Sequence, residues 1–162
     1  MRRLHNEDWG FESSCFVCEP KNERGLAIPF HHDDDGDRVV CQFTLGNEFS
    51  GAPSYVHGGI TLAILDEAMA WATIAVGGKF AVTTETTTRF LRPARVGRTY
   101  RVEARVTDQD DERIATSALV IDEKDRVCAE SEATFAVLTA AVARDAIGQE
   151  VTGDDASFLK PL

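Results

Sequence analysis

The chain is 162 residues long, 43% hydrophobic and 27% charged, with a formal charge of −10. That balance fits one soluble globular domain over 1–162, with a core at about 15–140 and peripheral ends. The acidity and the absence of any basic run exclude a nucleic-acid footprint, and an anionic ligand would need a local cationic patch.

In chain order, Met1-Arg2-Arg3 is basic but no apolar h-region follows, so the expected location is the cytoplasm. Trp9, Phe11 and Phe16 are candidate anchors of a mixed, polar N-terminal segment. Cys15 and Cys18 form a C-x-x-C. A redox pair would stand at a helix start after a strand, and a zinc site would need two more ligands, for which only His31 and His32 are at hand. The cysteines read as reduced and structural, and no metal is expected. Residues 24–30 read as a short strand, paired as a hairpin with a second strand over 38–45. The acidic stretches Asp33 to Asp37, Asp108 to Glu112 and Asp154-Asp155 read as solvated turns. Residues 46–54 are a loop. A helix over about 58–76 ends at Gly77-Gly78. It is too short and too polar to span a bilayer. Strands follow at 80–91, 100–106, 113–122 and 126–137, and the tail holds a short apolar patch, Ala140 to Ile147, before a polar end. The order predicts an α+β fold with one long helix on a sheet of about six antiparallel strands.

The helix carries the most chemistry. His57-Gly58-Gly59 opens it, and Ile60, Ala63, Ile64 and Ala68 describe one buried face. Free N–H groups in a glycine-rich first turn, at the positive end of the helix dipole, make a ready oxyanion site. Asp66-Glu67 interrupts the apolar run, and a carboxylate there is costly unless it has a role or a partner. The two side chains are about 100° apart around the helix, so they face different surroundings. Trp71 and Phe90 read as core residues or as the lining of a ligand pocket, with the core favoured.

Three blocks resemble a known family. They are Cys15-Phe16-Val17-Cys18 with Asn22-Glu23-Arg24-Gly25-Leu26; Val56-His57-Gly58-Gly59 with Leu65-Asp66-Glu67-Ala68 and Trp71; and Thr83 to Arg89 with Phe90-Leu91-Arg92-Pro93-Ala94-Arg95-Val96-Gly97. Together they span about residues 15 to 137, and they resemble hotdog-fold acyl-CoA thioesterases of the 4-hydroxybenzoyl-CoA and phenylacetyl-CoA thioesterase superfamily. The resemblance implies a long helix wrapped by a curved antiparallel sheet. It also implies homodimers with sites at the subunit interface, often paired into homotetramers, and hydrolysis of an acyl-CoA to acid and CoA. No cofactor is implied beyond the CoA of the substrate.

By the same resemblance Asp66 is the general base or nucleophile. Gly58 supplies the N–H that polarises the carbonyl, Gly59 allows close entry to the helix, and His57 orients the loop or touches substrate. Thr83 falls where relatives place a hydroxyl that positions water or substrate. Many relatives carry Asn, Gln or Glu six or seven positions before the His. Here Gly51 and Ser50 stand there, leaving Ser50, or Asn47 of the same loop, to serve. Arg89, Arg92 and Arg95 are the candidates for the CoA phosphates. A hotdog dehydratase or hydratase and a non-catalytic acyl-CoA binding module are the rival readings.

Overall fold

The computed structural model describes residues 1–10 and 12–148, with the side chain of Trp9 left aside. In chain order the elements are β1 (Arg2–Arg3), β2 (Phe30–Asp33), β3 (Arg38–Thr44), β4 (Ser50–Ala52), β5 (Tyr55–Val56), α1 (Gly58–Ala75), β6 (Ala81–Phe90), β7 (Thr99–Gln109), β8 (Arg113–Asp122), β9 (Val127–Val137) and α2 (Ala140–Ile147). Short 3-10 turns lie at Asn6–Trp9 and Asn47–Phe49. Seven strands form one antiparallel sheet in the order β1-β2-β3-β7-β8-β9-β6, and β4 and β5 make a separate ribbon. The sheet thus has one strand more than expected, the additional one being the two-residue β1 on His31 and His32.

Helix α1 lies across the sheet because its apolar residues need that cover. Thr61, Ile64, Leu65, Ala68, Met69 and Ala72 recur at three- and four-residue spacing and are buried. Removing Ile64, Leu65 and Met69 from water is worth about 1.5–3 kcal/mol each. The buried face is rotated from the expected one, since Ile60 and Ala63 are only partly buried. A helix apolar around most of its circumference has no single stripe for the spacing to mark. By length and composition alone α1 is long and apolar enough to cross a membrane, contrary to the expectation that it is too short and polar. Here it packs against β3, β6, β7, β8 and β9.

The strand expected over 24–30 begins only at Phe30. Ala27 takes a left-handed backbone (φ 50) and Pro29 has no N–H to give a ladder. The segment instead folds back on the cysteine turn, Leu26 N–H donating to Phe16 O at 2.7 Å and Ile28 N–H to Val17 O at 2.9 Å. The hairpin survives as β2 with β3. Phe16 is exposed and Val17 takes the buried place in that turn. Asp33 is not a free turn residue, its carboxylate lying 2.9 Å from Arg38 Nε. Phe11 and Asp154-Asp155 lie outside the described residues. Trp71 is core, whereas Phe90 is 54% exposed.

Two features of β6 bear on the site. It is an edge strand ten residues long, with Val82 to Thr87 exposed. It also carries a bulge, the register against β9 shifting between Thr83 and Glu85.

Candidate active site

The β4–β5 ribbon delivers His57 to the start of α1. Its N–H donates to Phe49 O at 2.8 Å, and its carbonyl accepts from Ile60 N (3.0 Å) and Thr61 N (3.1 Å). Its ring caps the helix, Nδ1 accepting from Gly59 N–H at 2.9 Å. The imidazole is therefore occupied at Nδ1 as an anchor of the turn. Gly51 and Gly59 leave room for it: a Cβ on Gly51 would lie 3.2 Å from the His57 Cα, and one on Gly59 3.1 Å from Nδ1. With Gly59, Ile60 and Thr61 all donating to His57, the Gly58 N–H has no hydrogen-bond partner among the described residues. Phe90 lies over this spot, since a Cβ on Gly58 would meet its ring at 3.7 Å. Phe90 is thus an exposed neighbour of the helix N-terminus, which its apolar character alone did not reveal.

Two turns on, Asp66 is half-buried and Oδ1 accepts from Thr83 Oγ1 at 2.7 Å. The bond holds one carboxylate oxygen and leaves the other available. Thr83 reaches the helix because of the bulge. It pairs with Phe135, as Thr86 pairs with Ala133, Thr88 with Ser131 and Phe90 with Ala129. Opposite residues share a face, so Thr83, Thr86, Thr88 and Phe90 all face the helix. Glu85, Thr87 and Arg89 face away.

The remaining candidates are placed apart. Ser50 donates its hydroxyl to the Asn47 backbone carbonyl at 2.7 Å, so Ser50 is turned in on its own loop. Arg89 lies 2.9 Å from Glu130 on the outer face. Arg92 Nη1 donates to Val127 O at 2.7 Å, and the Arg95 guanidinium stacks 5.1 Å from the Tyr55 ring centroid. The three arginines do not converge on one point of a single chain. Arg92 and Arg95 share the exposed turn after β6.

Glu67 turns away from Asp66, as the angular separation predicts, and meets Cys15 and Cys18. Burial, and then the neighbouring Cys15 sulfur, push its carboxyl up to about 8. A hydrogen bond from Cys18 holds Cys15 down at about 5, and Cys18, as its donor, is raised. His31 and His32 stand elsewhere, on β2, with His32 Nδ1 3.0 Å from the Asp34 carboxylate.

An unoccupied N–H at a helix N-terminus, and an anchored carboxylate on the same helix, are parts suited to acyl transfer. Residues 54–129, which carry both, match the model of the Thioesterase superfamily. The segment that holds the site belongs to that superfamily, and the chain has its hotdog fold, the long helix packed on the antiparallel sheet. Among solved structures, one protein described as a thioesterase superfamily protein is 26% identical, with a TM-score of 0.68 over 72% of this chain. This chain spans only 57% of that protein's length. The PaaI protein of the phenylacetic acid degradation operon of E. coli is 23% identical, with a TM-score of 0.64, 70% of this chain and 80% of that one being covered. A Streptococcus mutans protein solved with acetyl CoA is 18% identical, with a TM-score of 0.59 and coverages of 62% and 81%. No curated protein matches the sequence.

Proposed function

We propose that the protein is an acyl-CoA thioester hydrolase that works as a homodimer. The observation that carries this is the pairing of an unoccupied Gly58 N–H with an Asp66 carboxylate held by Thr83. The thioester oxygen binds at the Gly58 N–H, where the helix dipole stabilises the charge that develops on it. Asp66 either takes a proton from the attacking water or itself adds to the carbonyl carbon, giving an acyl–Asp66 anhydride that a water molecule then hydrolyses to the free acid. The C–S bond breaks and CoA leaves as its thiolate, which takes up a proton. No cofactor is needed beyond the CoA of the substrate. Arg92 and Arg95 are the local cations for its phosphates in an otherwise acidic chain.

Helix geometry adds the dimer. Eight residues separate Gly58 from Asp66, a rise of about 12 Å. One carbonyl cannot lie within about 3–3.5 Å of both on one helix. Gly58 of one copy and Asp66 of a second can meet the same thioester. The long, open edge of β6 is the natural place for the two sheets to join. The likeness to a protein bound to acetyl CoA supports the ligand class.

The test is a panel of aliphatic and aromatic acyl-CoA esters with detection of the free thiol. Hydrolysis of at least one ester, lost in Asp66→Asn, is expected. Binding without thiol release on any ester would replace the reading with a binding module. Water loss from a 3-hydroxyacyl-CoA without thiol release would replace it with a dehydratase.

A further inference from the structure

By spacing alone Cys15 and Cys18 lack enough partners for a metal. The fold supplies one that spacing could not show. Both sulfurs and a Glu67 carboxylate oxygen lie within 4.8 Å of one another, brought together from the N-terminal turn and from α1. The turn is shaped around the sulfurs. Val17 N–H donates to Cys15 Sγ at 3.3 Å, and Asn6 Nδ2 to Cys18 Sγ at 3.8 Å. Donors aimed at sulfur favour the thiolate, which is the form that ligates. Hydrogen bonds from Glu19 N to Cys15 O (3.3 Å), and from the returning Leu26 and Ile28 to Phe16 and Val17, fix the shape of this turn. Glu67 sits in the apolar run of α1, and among the described residues no Lys, Arg or His forms an ion pair with it. A carboxyl so placed is neutral or, when ionised, calls for a cation as partner.

We propose that Cys15, Cys18 and Glu67 bind one zinc ion as two thiolates and a carboxylate. Two sulfurs and one oxygen match the borderline softness of zinc and argue against magnesium or calcium, which take oxygen ligands. Three anionic ligands on a divalent ion leave a net charge of −1, which the N–H donors to sulfur offset. Cys18 also borders a cavity of about 230 Å³ lined by Leu4, Asn6 and Trp71; a water completes the four ligands of the proposed ion. The ion binds on the side of α1 away from Asp66, so it ties the N-terminal turn to the helix and takes no part in the reaction.

The experiment uses the full chain, fully reduced, stripped with a chelator and titrated with zinc alone and with cobalt(II) alone. One equivalent of zinc per chain is expected. Cobalt should add near-ultraviolet thiolate-to-metal absorption that zinc displaces. Cys15→Ser and Cys18→Ser should abolish binding, Glu67→Gln should weaken it at least tenfold, and Cys128→Ser should leave it unchanged, with circular dichroism confirming that each variant is folded. Cobalt absorption on the unmutated chain keeps the test independent of variant folding. Any of three results overturns the proposal: no thiolate band and less than a tenth of an equivalent of zinc, affinity unchanged in Glu67→Gln, or a stable Cys15–Cys18 disulfide that persists in reductant. Thioester hydrolysis enters none of these readouts.

Discussion

The sharpest prediction follows from the spacing of Gly58 and Asp66 along α1. Gly58→Pro removes an N–H that has no partner among the described residues. It should leave the helix intact, because proline is favoured at the first helical position and His57, at ψ 133, already has the backbone that precedes proline comfortably. Loss of an oxyanion donor should lower turnover on the order of 10²–10³-fold. Asp66→Asn should lower it on the order of 10²-fold or more. If each site takes Gly58 from one copy and Asp66 from the other, a mixed dimer of the two variants has one intact site and one doubly defective site. Random pairing makes half of all dimers mixed, so an equal mixture should recover about a quarter of wild-type activity. The assay is thiol release from the best acyl-CoA after co-expression with two affinity tags, with light scattering to verify the dimer. Recovery no greater than the sum of the two variants, in a preparation shown to contain mixed dimers, would refute the shared site. So would activity from a monomer.

Thr83→Val removes the 2.7 Å hydrogen bond to Asp66 while keeping volume. A bond to a charged group is worth about 1.5–3 kcal/mol, so kcat/KM should fall roughly 10–100-fold. In the Asp66→Asn background the effect should shrink, and a full additive loss would mean that Thr83 acts independently of Asp66. Replacing Arg92 or Arg95 with Ala should raise KM for a CoA ester several-fold, with little change in kcat. The effect should vanish on a pantetheine thioester, and equal losses on both substrates would make the arginines structural. Gly77→Ala tests the end of α1. Its Cβ would lie 2.3 Å from Ile114 Cδ1 and 2.8 Å from the Thr73 carbonyl oxygen. Overpacking of this kind costs about 1–3 kcal/mol and should lower Tm by about 2–4 °C per kcal/mol, so an unchanged Tm would contradict the close fit.

Much of this was legible in the sequence because local signals and the tertiary fold agree. Gly77-Gly78 ends α1 within two residues of the expected position, and alternation marks β8 from Arg113 to Asp122. The residues that misled were those whose neighbours come from elsewhere in the chain. Residues 24–30 have strand composition, but hydrogen bonds to Phe16 and Val17 and the left-handed Ala27 hold most of that stretch outside the sheet. Phe90 looks like core and is instead half-exposed over Gly58. The arginines are close in sequence, yet strand alternation sends Arg89 to the outer face while Arg92 and Arg95 lie past the strand end. Glu67 was separated from Asp66 by helical angle alone, but nothing in its spacing could show that Cys15 and Cys18, about fifty positions away, would meet it.

The bulge in β6 has a consequence for how this site can vary. On one side of it, Ala81 and Thr83 face the helix at odd positions; on the other, Thr86, Thr88 and Phe90 do so at even ones. Thr84 holds the irregularity in place by donating its hydroxyl to the Thr134 carbonyl at 3.0 Å. Plain alternation carried back from Phe90 at unchanged length would put Val82 and Thr84 on the helix side and turn Thr83 to the outer side, with every functional side chain still in the chain. The site is thus written in phase as well as in composition. Point substitutions along β6 alter it by degrees, whereas closing the bulge into plain alternation at unchanged length would disconnect the hydroxyl from the carboxylate in one step.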